Sequence, residues 1–342
     1  MRKTLFHKSL AARLLWHGGL VRLAGVLRRA LRGPRLIILC YHRVDKDPEK
    51  PALSAAPAEF ARQLEWFAGR FAVLPISAVA EYLSGREKLR RDSLVLTFDD
   101  GYRDNYDTVL PMLNRHRFPA AYFIASDPLL KRVPYWYDAL WARLERWSGG
   151  FPKKGFPLDM PAPLIESLEW SRGHPGKRGL QKVLDMAKGL DSRRRGVLMA
   201  WLDTGREAPS EWTACETMTL EEALDSTVRG IDIGGHTRTH PSLARIPDWE
   251  CRAEILESLG ELSGAGFDVR YFAYPFGEAV DVGGFGGHPR RVLKESGVRL
   301  AVTTEERAVR PGDDPLLVPR KVISPQTLAQ IALKLELLAW RK

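Results

Sequence analysis

Short apolar runs alternate with helix-like segments along most of this 342-residue chain. Runs at residues 36–40, 94–98, 120–125 and 231–234 have the length and composition of buried strands. Segments with the spacing of an amphipathic helix lie between them, for example residues 58–71. Strands that alternate with helices pair in parallel, because each helix returns the chain to the same end of the sheet. The sequence therefore predicts an α/β fold, and an α/β barrel of about 250 residues with additions fits the length.

One long segment interrupts this alternation. Residues 127–218 are rich in tryptophan, proline and charge, and we interpret them as a helical insertion. Its tryptophans are Trp136, Trp141, Trp147, Trp170, Trp201 and Trp212. The alternation then resumes, with strands expected at residues 271–274, 300–303 and 316–323 and a last helix from residue 325.

The net charge of +10 is concentrated at the N-terminus. Residues 1–44 contain ten Lys and Arg and no Asp or Glu, so the remaining 42 basic residues equal the 42 acidic ones. A neutral body disfavours nucleic-acid binding, because a basic face is the usual footprint of that function. It also disfavours a nuclease or phosphatase, together with the lack of a second carboxylate cluster.

The basic segment, residues 1–34, has the pattern of an amphipathic helix that bends at Gly18-Gly19 and ends at Gly33-Pro34. Its leucines share a face and most arginines lie away from it, so we expect it to lie on an anionic membrane surface without crossing it. The alternatives are a helix packed on the outside of the barrel, with solvated arginines, and a helix that docks on a partner protein. The apolar stretch is broken by arginines and falls short of the ~20 residues of a spanning helix, which argues against a signal peptide or a membrane span.

Two polar motifs follow predicted strands. Asp99 and Asp100 come directly after the run at residues 94–98, and His236 and His240 follow the run at 231–234. Four residues apart on a helical turn, the two histidines would face the same way and share a metal. The motifs together supply two imidazoles and a carboxylate for the metal, and a second carboxylate beside it. Taken alone, the histidines could cap loop carbonyls and the Asp pair could begin the next helix.

A third motif is the turn Pro275-Phe276-Gly277, which follows the expected strand at residues 271–274. Such a turn presents backbone N–H groups that can stabilise an oxyanion. The glycine-rich segment at residues 283–287 lacks the strand and helix context of a dinucleotide-binding loop.

These three segments, in this order, resemble the polysaccharide deacetylases of the NodB-homology type. The resemblance is carried by the motifs Thr97-Phe98-Asp99-Asp100-Gly101, His236-Thr237-Arg238-Thr239-His240 and the Pro-Phe-Gly turn, and spans roughly residues 36–126 and 219–325. It implies a distorted (β/α) barrel, continuous over residues 35–342 except for the insertion at 127–218. It also implies that Asp99 is the catalytic base, that Asp100, His236 and His240 bind the metal, and that the backbone N–H of Phe276 contacts the oxyanion.

The chain departs from the family pattern at two positions. Many members have an arginine that orients the base two residues before the proline of the third motif, where this chain has Ala273. Many also have a late histidine that acts as the general acid, and this chain has none after Pro319. We expect His42, which follows the first strand, to take the role of the acid, with a structural imidazole as the alternative. Arg320 is a candidate to orient Asp99.

The resemblance implies a metal-dependent hydrolase that removes N-acetyl or N-formyl groups from sugars of a surface polysaccharide, a glycolipid or its precursor. The alternatives are an O-acetyl carbohydrate esterase and a glycan-binding protein without turnover. The metal would be Zn, with Co, Ni or Fe possible for the same ligand atoms. Candidate substrate contacts are Tyr102, Tyr274, Pro275 and Arg320. The insertion tryptophans would either stack on sugars or form the insertion's own core. Three widely spaced cysteines favour a reducing compartment, so we expect a cytoplasmic protein on the inner face of the membrane.

Overall fold

The computed structural model describes residues 19–45, 53–147, 155–174, 176–204, 216–283, 287–323 and 327–338. A parallel eight-stranded sheet forms its centre. Its strands are β1 Leu36–Tyr41, β4 Ala72–Val73, β5 Ser93–Asp99, β6 Ala120–Ile124, β7 Ile231–Gly235, β8 Tyr271–Ala273, β9 Leu300–Val302 and β10 Lys321–Val322. They pair in the order β10-β1-β5-β6-β7-β8-β9, and the short β4 pairs with β5 on the same edge as β6. A separate parallel pair is formed by β2 Arg43–Val44 and β3 Ser54–Ala55. Every residue of β1, β5 and β6 is buried, as expected for parallel strands covered on both faces.

The sheet curls so far that one short segment, residues 318–322, pairs first with the edge of β9 and then with β1. Val318 pairs in parallel with Val302 beyond β9, and three residues later β10 pairs with β1. The expected continuous strand at residues 316–323 is therefore wrong, because the chain leaves the edge of β9 and crosses to the edge of β1 within this segment. The curled sheet with helices around it confirms the (β/α) barrel.

Helices cover the outside of the sheet. They are α1 Leu20–Arg32, α2 Pro57–Arg70, α3 Ser77–Leu83, α4 Leu110–His116, α5 Ser126–Leu130, α6 Trp136–Arg146, α7 Ala162–Gly173, α8 Lys177–Ala187, α9 Ser192–Leu202, α10 Leu220–Val228, α11 Asp248–Gly264, α12 Ala279–Val282, α13 His288–Ser296 and α14 Leu328–Leu338. A π-helical turn, Asn105–Val109, precedes α4. None of the helices in these described residues combines the length and apolar character that a membrane crossing needs.

The segment predicted as an insertion forms α6 to α9 and has its own hydrophobic cluster. Leu140, Leu168 and Leu198 are fully buried in it, and Trp141 and Trp201 pack there with less than a tenth of their surface exposed. This cluster is separate from the clusters on the two sides of the sheet. Two of the tryptophans thus form the insertion's core, as one of the two alternatives predicts, whereas Trp212 lies outside the described residues.

Helix α1 lies at the amino ends of β1 and β5. Gly19 has φ 73° at its start and Gly33 follows its end, so the helix begins after the expected bend and stops where the sequence predicts. The earlier part of the predicted helix, residues 1–18, lies outside the described residues. Arg28 of α1 forms buried ion pairs with Asp92, directly before β5, and with Glu336 of α14.

Candidate metal and catalytic site

The predicted catalytic residues meet at the carboxyl ends of the barrel strands. Asp99 and Asp100 are at the end of β5, His42 follows β1, and His236 and Phe276 follow β7 and β8. They face a cavity of about 380 Å³. Its lining is His42, Leu53, Asp99, Asp100, Trp136, Tyr137, Gln181, Leu184, Lys188, His236, His240, Phe276 and Thr304. Parallel barrels place their catalytic groups at this end, because the loops that follow the strands converge there.

Asp100, His236 and His240 form a compact buried cluster. The Nε2 atoms of the two imidazoles are 3.1 Å apart, and Asp100 Oδ1 is 3.6 Å from His236 Nε2 and 3.4 Å from His240 Nε2. His236 Nδ1 donates to the carbonyl of Ala273 at 2.7 Å, so its Nε2 carries a lone pair directed at the cluster.

The backbone brings the histidines together without a helical turn, so the prediction of one is wrong. His236 directly follows β7, and Thr237 and His240 have φ values of 65° and 62°. These left-handed conformations reverse the loop, and Glu254 of α11 fixes it by accepting hydrogen bonds from the backbone N–H groups of Arg238 and Thr239.

A divalent metal fits this cluster. Ligand atoms 2.0–2.2 Å from a tetrahedral Zn²⁺ lie roughly 3.3–3.5 Å apart, close to the three separations. Asp100 Oδ1 is buried without a hydrogen-bond partner among the described residues, as expected of an atom that awaits a cation. Burial and neighbouring carboxylates raise the pKa of Asp100, so its anionic form needs a compensating positive charge. Burial lowers the pKa of both histidines, which keeps their imidazoles neutral as metal ligands must be.

Asp99 is held by Arg320, the residue directly before β10. Arg320 is fully buried and donates two hydrogen bonds to the carboxylate, Nη1 to Oδ1 at 2.7 Å and Nη2 to Oδ2 at 2.8 Å. Burial alone would raise the pKa of Asp99, but the charge and hydrogen bonds of Arg320, together with the nearby imidazoles of His236 and His42, outweigh it and hold the pKa well below its ordinary value. The guanidinium reaches Asp99 from a different strand than the family's arginine, which is Ala273 here. Because Arg320 has no exposed surface, its second predicted role, as a substrate contact, is wrong.

Cys40 lies on the other side of the base. Its Sγ is 3.4 Å from Asp99 Oδ2, and a His42 ring nitrogen also lies within 4.8 Å of both residues. Burial raises the pKa of the Cys40 thiol well above its ordinary value, so the thiol stays protonated. Because Asp99 is already paired with Arg320, the group of Cys40, His42 and Asp99 is a poorer candidate for a metal than Asp100 and the two histidines.

His42 is positioned by the π-helical turn. Asn105 Nδ2 donates to the backbone carbonyl of His42 at 2.9 Å, and the ring lines the cavity. No described residue forms a hydrogen bond with its buried Nδ1. Burial lowers the pKa of His42 to about 4, so the imidazole is neutral near pH 7. A general acid at this position therefore needs to take up a proton during turnover, because it does not hold one beforehand.

Phe276 lies at the tip of a strained turn. Its φ is 61°, and the following Gly277 has φ 69° with its Cα so close to Thr304 that a Cβ would lie 2.9 Å from the Thr304 backbone nitrogen. Only glycine fits at position 277 for this reason. The Phe276 ring stands edge-to-face on the ring of His240, with centroids 4.9 Å apart.

The other predicted substrate contacts lie behind the cavity wall. Tyr102 is fully buried, and its hydroxyl donates to Asp138 at 2.9 Å. Tyr274 is 1% exposed and its hydroxyl donates to the carbonyl of Leu316, and Pro275 is also buried. Side chains without a surface on the cavity cannot contact a substrate, so this prediction is wrong for all three.

The sequence did not reveal the contribution of the segment at the start of α6. Tyr135 donates to the backbone carbonyl of Asp100 at 2.6 Å, and Trp136 Nε1 donates to the carbonyl of His240 at 2.9 Å. The ring of Tyr137 stands edge-to-face on the ring of His240, with centroids 5.2 Å apart. Three consecutive aromatic residues at the start of a helix were the available signal. The insertion thus contacts two of the three candidate ligands.

Comparison with known proteins agrees with this geometry. The sequence model of the polysaccharide deacetylase family matches residues 86–145 and 208–300. IcaB from Ammonifex degensii has a similar structure, with a TM-score of 0.56 and 20% identity over 89% of this chain and 98% of that chain. The Streptococcus pyogenes deacetylase PplD has a TM-score of 0.54 and 17% identity over 85% and 93%. A de-N-acetylase from Aggregatibacter actinomycetemcomitans has a TM-score of 0.53 and 14% identity over 88% and 99%. No curated protein sequence matches the chain.

Catalytic groups gathered at the strand ends of a curled parallel sheet are typical of a barrel enzyme. The chain contains a polysaccharide deacetylase domain, matched over residues 86–145 and 208–300, and proteins of this type are among its structural neighbours. The residues between the two matched stretches, 146–207, fall within the helical insertion.

Proposed function

We propose that this protein is a metal-dependent hydrolase that removes N-acetyl or N-formyl groups from amino sugars of a surface polysaccharide, a glycolipid or its precursor. One observation carries the proposal. Asp100, His236 and His240 present ligand atoms 3.1–3.6 Å apart, directly beside a carboxylate that Arg320 holds in place.

A divalent metal held by Asp100, His236 and His240 would polarise the substrate carbonyl and lower the pKa of the attacking water. Asp99 accepts a proton from that water at its carboxylate, which Arg320 keeps ionised and correctly oriented. The base is weak because its pKa is depressed, so it depends on a water that is already acidified. The backbone N–H of Phe276 is the proposed donor to the oxyanion.

His42 is the proposed donor to the departing amine. Its pKa of about 4 makes it neutral at rest, so it takes up the proton that Asp99 has removed and passes it on. A ring nitrogen of His42 and a carboxylate oxygen of Asp99 lie within 4.8 Å of each other. One water molecule or the substrate can bridge this separation. This assignment would make the missing late histidine unnecessary.

The cavity wall suits a sugar. Trp136 and Tyr137 supply aromatic surface, on which the apolar faces of a pyranose ring can stack. The description of the Aggregatibacter protein as a de-N-acetylase supports an N-acetyl substrate over an O-acetyl one. The acetate bound in the PplD structure supports an acetyl group over a formyl group.

Acetate release tests this function. The protein is stripped with a chelator, reloaded with Zn²⁺, and incubated with free and lipid-linked N-acetyl amino sugars and with O-acetylated sugars. We expect acetate from N-acetyl substrates only, and none from the stripped protein. Acetate from O-acetylated sugars alone would assign an esterase, and sugar binding without any acetate would assign a glycan-binding protein.

A further inference from the structure

Helix α1 is docked with its polar side inward and its apolar side outward. Leu23, Val26, Leu27 and Leu31 are 55%, 60%, 52% and 74% exposed, whereas Arg28 is 1% exposed. A helix that only stabilised the barrel would bury the leucines, because burial of apolar surface is what fixes most amphipathic helices. We call the four exposed residues the leucine face.

A buried ionic cluster fixes this orientation. Arg28 pairs with Asp92 and lies 3.6 Å from Glu336, and Arg35 lies 3.2 Å from Glu336 and 3.8 Å from Asp92. Two cations thus face two anions, and Arg35 Nη1 also donates to the carbonyl of Leu335 at 2.6 Å. Gly25 allows the close approach, since a Cβ there would lie 2.9 Å from Glu336. The leucine face is therefore held outward by specific contacts on the opposite side of the helix.

The cations of residues 1–44 divide into two groups. Arg28, Arg35 and Arg43 are buried and paired with carboxylates, so they add no charge to the surface. The other seven Lys and Arg lie at positions 2, 3, 8, 13, 22, 29 and 32, and the same stretch contains no acidic residue. The leucine face is therefore bordered in sequence by positive charge alone.

Other exposed apolar side chains in the described residues, such as Leu158, Val228 and Trp249, lie singly on separate elements. Single exposed apolar residues need no explanation, but a continuous face marks a binding surface.

We infer that α1 docks the protein on an anionic lipid surface, with the leucine face at the boundary between headgroups and acyl chains. Leucines supply the apolar contact, and the seven cations attract the negative headgroups. A protein partner fits less well, because a partner that covered this helix would need both an apolar groove and acidic borders. The inference is independent of the proposed activity.

Vesicle flotation of the full chain tests the inference. We expect it to float with vesicles of phosphatidylcholine and phosphatidylglycerol, to bind pure phosphatidylcholine more weakly, and to be released by salt. The double variant Leu27→Glu, Leu31→Glu removes the apolar contact and leaves Arg28 and Gly25 unchanged. We expect its binding to anionic vesicles to fall by about a hundredfold, since burying two leucines contributes several kcal/mol.

The matched control is Leu158→Glu, Val228→Glu, which adds the same charge at two other exposed positions. It should float almost like the wild type, and circular dichroism should show all three proteins folded. Equal loss of flotation in both double variants would show that the added negative charge, and not the loss of the leucines, weakens binding. This result would overturn the inference. Flotation of the Leu27→Glu, Leu31→Glu variant at the wild-type level, or no binding by the wild type, would also overturn it. A wild-type dimer that this variant dissociates, without vesicle binding, would assign the face to a second copy of the chain.

Discussion

Strained backbone conformations concentrate around the site. Asp100, Thr237, His240 and Phe276 all have positive φ, four of the six non-glycine residues with this conformation in the described part of the chain. Each costs about 1–3 kcal/mol, and such strain persists only where surrounding contacts enforce it. Here the enforced conformations turn two candidate ligands and the proposed oxyanion donor toward one cavity.

The two neighbouring aspartates should respond differently to the same substitution. We expect Asp100→Asn to lose bound metal, because its Oδ1 faces both His236 and His240. Asp99→Asn should keep the metal and lose turnover, since Asp99 faces Arg320. Metal content after dialysis, measured beside acetate release, separates the two. Metal loss in Asp99→Asn with retention in Asp100→Asn would reverse the assigned roles.

Substitution of Arg320 should move the pH profile in a defined direction. Arg320 lowers the pKa of Asp99, so in Arg320→Met burial is opposed only by the weaker effects of His236 and His42, and that pKa rises. The base is then protonated up to a higher pH, and the acid limb of the kcat/KM profile moves to higher pH. Arg320→Lys keeps the charge but loses one of the two hydrogen bonds, so we expect a smaller shift of the acid limb in this variant. Identical profiles for all three proteins would show that Arg320 does not tune the base.

The proposed acid can be tested without disturbing the metal. His42→Gln should bind metal like the wild type and slow turnover by roughly two to four orders of magnitude, the usual contribution of general acid–base catalysis. An aryl amide substrate with a good leaving group should lose less, because its amine needs less help from a proton. Full activity of His42→Gln on an N-acetyl sugar would leave His42 with a structural role.

At the scale of elements, the insertion meets the barrel chemistry at two places, the start of α6 and the cavity-lining residues Gln181, Leu184 and Lys188 in and after α8. Residues 135–137 contact Asp100 and His240, while most of the remaining insertion packs on its own hydrophobic cluster. Because that cluster is separate from those of the sheet, the outer helices can change without altering the barrel. Exchange of residues 146–202 between relatives should therefore alter the choice of sugar and preserve the hydrolytic step.

Trp136, at the start of α6, lines the cavity. Trp136→Ala removes an aromatic wall and the donor to the His240 carbonyl, so we expect kcat/KM to fall by about tenfold, the equivalent of one stacking contact. Trp170→Ala is the control, since Trp170 stacks on His174 in the same insertion and does not line the cavity. Steady-state kinetics on an N-acetyl sugar checks both. Equal effects would mean that the insertion acts only through its stability.

The elements differ in how well the sequence predicts them. Buried strands such as β1 and β5 are near-continuous apolar runs, so their positions were predicted within a residue or two. The segment before β10 was not predicted correctly. Its pairing partner changes from β9 to β1, and the sequence contains no periodic pattern that would indicate such a change. The histidine loop was mispredicted for a related reason, since left-handed residues and the hydrogen bonds to Glu254 are tertiary in origin.

At the scale of the whole molecule, the sequence located the site but only some of its supports. Ligand and base motifs are adjacent in sequence to strand ends, so barrel topology alone brings them together. Arg320 was a candidate to orient Asp99, and the fold shows that it does so with two hydrogen bonds across more than two hundred residues. Arg28 was expected to lie away from the leucines, but only the fold shows that it is buried in an ionic cluster.

The ionic cluster under α1 should contribute strongly to stability. Arg28→Met leaves Asp92 and Glu336 with one cation in place of two, and removing one partner from a buried ion pair costs about 3–5 kcal/mol. We expect a decrease of this size in the free energy of unfolding, measured by urea denaturation. Arg29→Met is the control at the neighbouring exposed position, and it should change the free energy of unfolding by less than about 0.5 kcal/mol. Similar values for the two variants would show that the cluster contributes little.

The position of α1 also sets a distance. The helix lies at the amino end of β5 and Asp99 at its carboxyl end, so a seven-residue strand, roughly 20 Å long, separates the leucine face from the chemistry. If the leucine face rests on lipid, the barrel works as a spacer that holds its reaction centre well above the bilayer. The first sugar attached to a lipid headgroup is then out of reach, whereas the outer sugars of a longer glycolipid, or a glycan in solution, are not. The distance between the leucine face and the site would thus favour long glycans, independently of the contacts that the cavity makes with them.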